Sequence, residues 1–116
     1  MMGKTSQRKG AAGERELAAI LQGRGYECIR GGSLTFGEVP DVTGLPGIHV
    51  EVKRAEKQNL YAWVGQAEAD TQKFQDGLPA VFWRKNRHKW LVVMPLDEWL
   101  KLYKWAETAK NGPEKR

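Results

Sequence analysis

The sequence predicts a mixed α/β domain in which helices flank one central sheet, and three features lead there. Stretches with helical apolar spacing open the chain, recur in its middle and close it; short β-branched and aromatic runs lie between them; and Gly, Pro and Asn clusters separate the two kinds of segment. Read in order, the elements run αβββαββα. At 116 residues the chain is expected to be a single domain over 1–116 with one core, its ends at 1–6 and 111–116 forming flexible tails.

The first helix is expected from about Gln7 to Arg24, with Ser6 as a possible N-cap and Leu17, Ala18 and Leu21 on one stripe. Glu14 falls on that same stripe. A carboxylate facing a core needs an ion pair, a position at the stripe edge, or a site to join. Gly25 ends the helix, and Tyr26 to Arg30 reads as a strand. A glycine-rich loop follows, where Ser33 can either satisfy its own turn or bond a phosphate, and where Glu38 is an alternative ligand. Pro40 to Thr43 and Ile48 to Arg54 are strands joined by Gly44-Leu45-Pro46-Gly47, a hairpin. Asn59 can cap a helix running to about Gln75, with Leu60, Trp63, Val64, Ala67, Thr71 and Phe74 as its buried stripe and Gln66 beside it. Pro79 to Trp83 and Trp90 to Met94 form a second hairpin with a basic tip. A last helix, about Leu96 to Thr108, is expected to bury Leu96, Trp99, Leu100 and Tyr103.

The chemistry concentrates in the first hairpin. In Ile48–Arg54 the alternation sends Ile48, Val50 and Val52 to one face and His49, Glu51 and Lys53 to the other, so one face reads as core and the other as charged. Glu51 and Lys53 are then roughly 7 Å apart, at about 3.3 Å per residue. An odd loop pairs 44 with 48 and sets Asp41 opposite Glu51; an even loop sets Asp41 opposite Val50. Two carboxylates this close repel unless a cation or proton lies between them, which favours a hard divalent ion, magnesium above all. Lys53 can then orient or deprotonate water, or steady charge on a phosphate. A solvated surface ion pair is the plainer reading of Glu-x-Lys alone. His49 reads as a polar edge residue outside the metal set.

Pro40-Asp41, followed after nine intervening residues by Glu51-Val52-Lys53, resembles the PD-(D/E)XK nuclease superfamily. The likeness is nearest to archaeal-type Holliday junction resolvases and related small phage nucleases. It extends over the acidic residue in KGAAGERELAAIL, the RGGS segment and the glutamine-bearing helix. The resemblance implies a restriction-endonuclease-like fold, metal binding by Asp41, Glu51 and the carbonyl of Val52, catalysis by Lys53, an active-site role for Glu14 that includes the metal, and looser roles for Gln66 and Ser33. It further implies magnesium, with manganese as a substitute, and a homodimer.

The net charge of +5 is unevenly spread. Lys4, Arg8 and Lys9 form an arm, Arg54 ends the second strand of the first hairpin, and Arg84, Lys85, Arg87 and Lys89 cluster at the second hairpin tip, all suited to phosphate backbones. No apolar run approaches the roughly 20 residues that span a membrane. The basic N-terminus lacks the apolar stretch of a signal peptide, and the single cysteine, Cys28, makes no internal disulfide and reads as a small buried hydrophobe. A cytoplasmic protein is expected, or a phage-encoded one acting in the host cytoplasm. The functional expectation is a metal-dependent endonuclease acting on branched DNA. Its rivals are another repair or restriction-type nuclease with the same site, and a non-enzymatic DNA-binding module, which has no need of Asp41, Glu51 and Lys53 together.

Overall fold

The computed structural model describes residues 2–31 and 39–111, with side chains over 10–31 and 39–110. Its elements are α1 (Met2–Gly23), β1 (Ile29–Arg30), β2 (Val42–Thr43), β3 (Ile48–Arg54), α2 (Leu60–Phe74), β4 (Leu78–Arg84), β5 (Leu91–Val93) and α3 (Leu96–Asn111). The expected order holds. α1 reaches back past Ser6, which therefore lies inside the helix instead of capping it.

The five strands form one sheet in the order β1-β2-β3-β4-β5. Neighbours are antiparallel except β3 and β4, which pair in parallel over their full lengths. A parallel pair needs a long crossover, and α2 is that crossover. It ends on Gln75, whose left-handed conformation (φ 50°) lets its N–H bond the Thr71 carbonyl at 2.7 Å. Gly77 follows at φ 136°, where a Cβ would run into the backbone of Gly47, so only glycine lets the chain enter β4 alongside the start of β3.

β3 is the middle strand, with a helix layer on each face. On the α1 side Leu17 and Ala18 meet Cys28, Val42, Val50, Val52, Ala80 and Phe82. On the α2 side Ala67 packs on Val81 and Trp83, flanked by Trp63 and Val64. Trp83 also donates its indole N–H to the Ala55 carbonyl at 2.9 Å, fixing the exit of β3.

The C-terminal helix departs from its expected packing. Leu96, Trp99, Leu100 and Tyr103, read as a buried stripe, are 46–68% exposed. β5 is a three-residue edge strand with two exposed residues and offers α3 little to cover. An open groove of about 590 Å³ lies between them, lined by Val92, Val93, Met94, Leu96, Trp99 and Leu102.

Candidate active site

The pairing of Val42 with Val50 is the odd-loop register, and it brings Asp41 into line with Glu51. A hydrogen bond fixes the arrangement: the Val52 N–H donates to Asp41 Oδ2 at 2.9 Å, tying the carboxylate to the next residue of β3. The face holding His49, Glu51 and Lys53 is charged, as the alternation implies, but it is enclosed. Glu51 is 4% exposed and His49 is fully buried. The reason is position: a central strand has neighbours on both sides, and α2 lies over this face.

Lys53 Nζ sits 3.6 Å from Glu51 Oε2 and donates to Gln66 Oε1 at 3.1 Å. The helical glutamine thus reaches the lysine from across the fold and orients it. Burial pushes the Asp41 carboxyl up to about 7; the charge of Glu51 adds to this, Glu14 adds less, and the Val52 hydrogen bond and Lys53 oppose. Without a cation, the pair keeps a proton near neutral pH. Two carboxylates set this close suit a hard divalent ion, which removes the repulsion by taking the proton's place.

Glu14 lies near enough to act on Asp41 electrostatically, but its Oε1 accepts from Arg30 Nε at 2.7 Å. Of the readings open to this helical acid, the ion pair is realised and proximity to the site accompanies it.

Three further groups lie beyond what the sequence reading assigns to the site. His49 Nδ1 contacts both oxygens of Asp76, at 2.8 and 3.0 Å, and its ring stacks on Phe74. Its Nε2 lies 3.5 Å from Glu51 Oε1. Asp70 approaches Glu51 from α2; its carboxyl is pushed up by burial first, then by the charge of Glu51 and a hydrogen bond with it. Burial pulls the His49 pKa down, but Glu51 and Asp76 outweigh it and the net direction is up. One signal in the chain points to Asp70: it stands four residues after Gln66, on the same side of α2. For His49 the alternation gives the face but not its enclosure.

The basic residues divide. Glu16 accepts from Arg84 Nε and Nη2, both at 2.8 Å, and from the Trp90 indole at 2.7 Å. The Arg84 bond lowers the Glu16 pKa most; burial opposes it, and the Trp90 bond adds to the lowering. Arg54 donates to the Arg84 carbonyl at 2.9 Å and to Asn86 Oδ1 at 2.7 Å. These two arginines therefore bind α1, β3 and the β4–β5 turn to one another. Arg87 and Lys89 are exposed at the tip, and Lys85 is half-buried. Ser33 and Glu38 lie outside the described residues, as do the side chains of Lys4, Arg8 and Lys9.

Residues 5–112 match the family model of archaeal Holliday junction resolvases. Among solved structures, the chain is similar to Hjc of Archaeoglobus fulgidus, a Holliday junction resolvase from an archaeal hyperthermophile. The two are 25% identical, with a TM-score of 0.55, over 77% of this chain and 74% of the other. No curated protein matches the chain. No described helix is long and apolar enough to cross a membrane.

Proposed function

The chain belongs to the family of archaeal Holliday junction resolvases, metal-dependent nucleases that hydrolyse DNA phosphodiester bonds, and from that premise we propose how its own residues do so. The observation that carries the reading is the register of the hairpin, which sets Asp41 against Glu51 while Val52 holds Asp41 in place. Asp41, Glu51 and the Val52 carbonyl would hold a magnesium ion, or manganese in its place, with Glu14 contributing to the site. When bound, that ion acts as Lewis acid and lowers the pKa of water. Lys53 directs its ammonium toward the attacked phosphate and steadies the charge that develops there; Gln66 keeps it on that side. Enclosure beneath α2 strengthens each of these interactions by keeping water sparse.

The substrate is four-way junction DNA, met in the cytoplasm whether the gene is cellular or carried by a phage. Arg87, Lys89 and Lys85 at the hairpin tip contact phosphates, together with Lys4, Arg8, Lys9 and Ser33; Arg54 and Arg84 brace the tip and extend its field. Resolution cuts two strands related by two-fold symmetry. One domain with one such site therefore works as a C2 homodimer, and the exposed α3 surface around Trp99, Tyr103 and Trp105 supplies apolar area for the interface.

Cleavage of labelled junction, flap, single-stranded and duplex DNA, with and without magnesium, tests the reading, alongside sedimentation at micromolar concentration. Magnesium-dependent cutting of the junction in preference to the others, by a dimer, is expected. A strict monomer that nicks linear duplex as fast as junctions would remove the resolvase activity and leave a less selective nuclease.

A further inference from the structure

The buried face beneath α2 holds a second constellation, on the opposite oxygen of Glu51 from the one Lys53 approaches. One ligand atom from each of His49, Glu51 and Asp70 lies within 4.8 Å of the other two. Glu51 Oε2 faces Lys53, while Oε1 faces His49 Nε2 at 3.5 Å. His49 is fully buried, and its Nε2 has no hydrogen-bond partner among the described residues. A carboxylate can only accept, so the contact with Asp76 requires the hydrogen on Nδ1. In the neutral ring, the Nε2 lone pair then faces Glu51 Oε1, with the Asp70 carboxyl close by, and the hydrogen that Asp70 and Glu51 share leaves Nε2 without a donor. The charged ring turns an Nε2–H on Glu51 across 3.5 Å, longer than the usual range of about 2.7–3.2 Å, and a cation bound at Nε2 takes the place of that proton.

We propose that His49 Nε2, Glu51 Oε1 and the Asp70 carboxylate bind a second divalent cation, of the transition-metal class that favours imidazole, such as zinc. Asp76 is its positioning residue. A ligating histidine commonly donates its other ring hydrogen to a carboxylate, which fixes both tautomer and ring orientation. Phe74 stacks beside the ring, with the two planes 15° apart. Magnesium prefers a wholly oxygen shell, so the two sites select different ions by donor type. Glu51 is a ligand in both. Occupancy of the histidine site therefore bears directly on the carboxylate that the nuclease site needs, and zinc is expected to alter the magnesium requirement of the protein.

The site itself is tested by metal binding without DNA, so its failure is separate from any failure of the nuclease reading. Cobalt(II) titrated into the chelator-treated full chain should give a visible ligand-field band of a nitrogen-containing site, and zinc should displace it. Asp41→Asn should keep the band. Asp70→Asn and His49→Gln should abolish it, and Asp76→Asn should weaken cobalt affinity about 10–100-fold. Asp70 is only half-buried, so Asp70→Asn remains decisive should His49→Gln fail to fold. Absence of the band in the folded wild-type protein, its persistence in Asp70→Asn, or its loss in Asp41→Asn would each overturn the proposal.

Discussion

The face of β3 beneath α2 and the basic turn between β4 and β5 both appear in the sequence as clusters of charge, yet the fold treats them in opposite ways. Beneath α2, Asp41, Glu51 and Asp70 crowd together with like charge, and burial drives Asp41 up to about 7. At the turn, Arg84 and Arg54 are satisfied within the protein by Glu16, Asn86 and a backbone carbonyl. The first region keeps an excess of acid that a proton or a cation has to offset. The second is complete at its base, so only its tip is free to meet another molecule. A cluster of charge thus signals binding only where the fold leaves the charges without a protein partner.

The largest way to break this contrast is at the first region. Asp41→Asn or Glu51→Gln should abolish magnesium-dependent cleavage, a loss of about a thousandfold or more, while circular dichroism shows a folded protein and DNA binding largely persists. Full activity in either purified variant would show that the ion is held elsewhere. Lys53→Ala should cost about 10²–10³-fold in turnover, since one donor to developing charge is removed. Its magnesium affinity should survive, because an ammonium is not a ligand; calorimetric titration of metal distinguishes the two roles.

The second region should respond in the reverse manner. Arg84→Ala and Glu16→Gln should both lower the melting temperature, since each leaves part of a shared network unpaired. Replacing Arg87 and Lys89 by alanine should leave melting unchanged, weaken binding to all DNA sequences alike, and reduce the salt slope by about one for each phosphate that is no longer neutralised. If the tip variants bind DNA with an unchanged salt slope, the tip is not part of the DNA surface.

The smallest effect is on stability against pH. A carboxyl whose pKa is raised on folding holds its proton more tightly in the folded state. Asp41 therefore favours folding fully below its unfolded value of 3.8 and loses that contribution as pH rises through about 7. The raised Asp70 and His49 values act in the same direction. The melting temperature of the metal-free protein should fall between pH 5 and 8 by about a few degrees. The fall should be shallower in Asp41→Asn and reversed by magnesium. A profile identical in wild type and Asp41→Asn would mean that the carboxyl titrates normally.

Much of this is legible in the chain. Apolar periodicity separates helices from strands without reference to the rest of the fold, and so yields the order αβββαββα. The turn Gly44-Leu45-Pro46-Gly47 reduces the hairpin to two registers, and strand alternation places His49, Glu51 and Lys53 on one face. Even Gln66, only loosely indicated, reaches Lys53. The departures share a cause: alternation assigns a face but not what covers it. His49 reads as an edge residue because nothing local says that β3 is the central strand. The α3 stripe reads as buried because an amphipathic helix looks the same whether its partner lies in the domain or outside it.

By itself, then, the sequence determined the elements, their order and the residues able to carry the chemistry, since these depend on neighbours a few positions apart. Only the tertiary structure chose the odd register, enclosed Glu51 and His49 under α2, brought Asp70 and Asp76 to them, and joined Arg84 to Glu16 across 68 positions of chain. Each of those outcomes depends on a partner distant in sequence, and burial and pairing, which set the charge a group carries, become defined only when such partners meet.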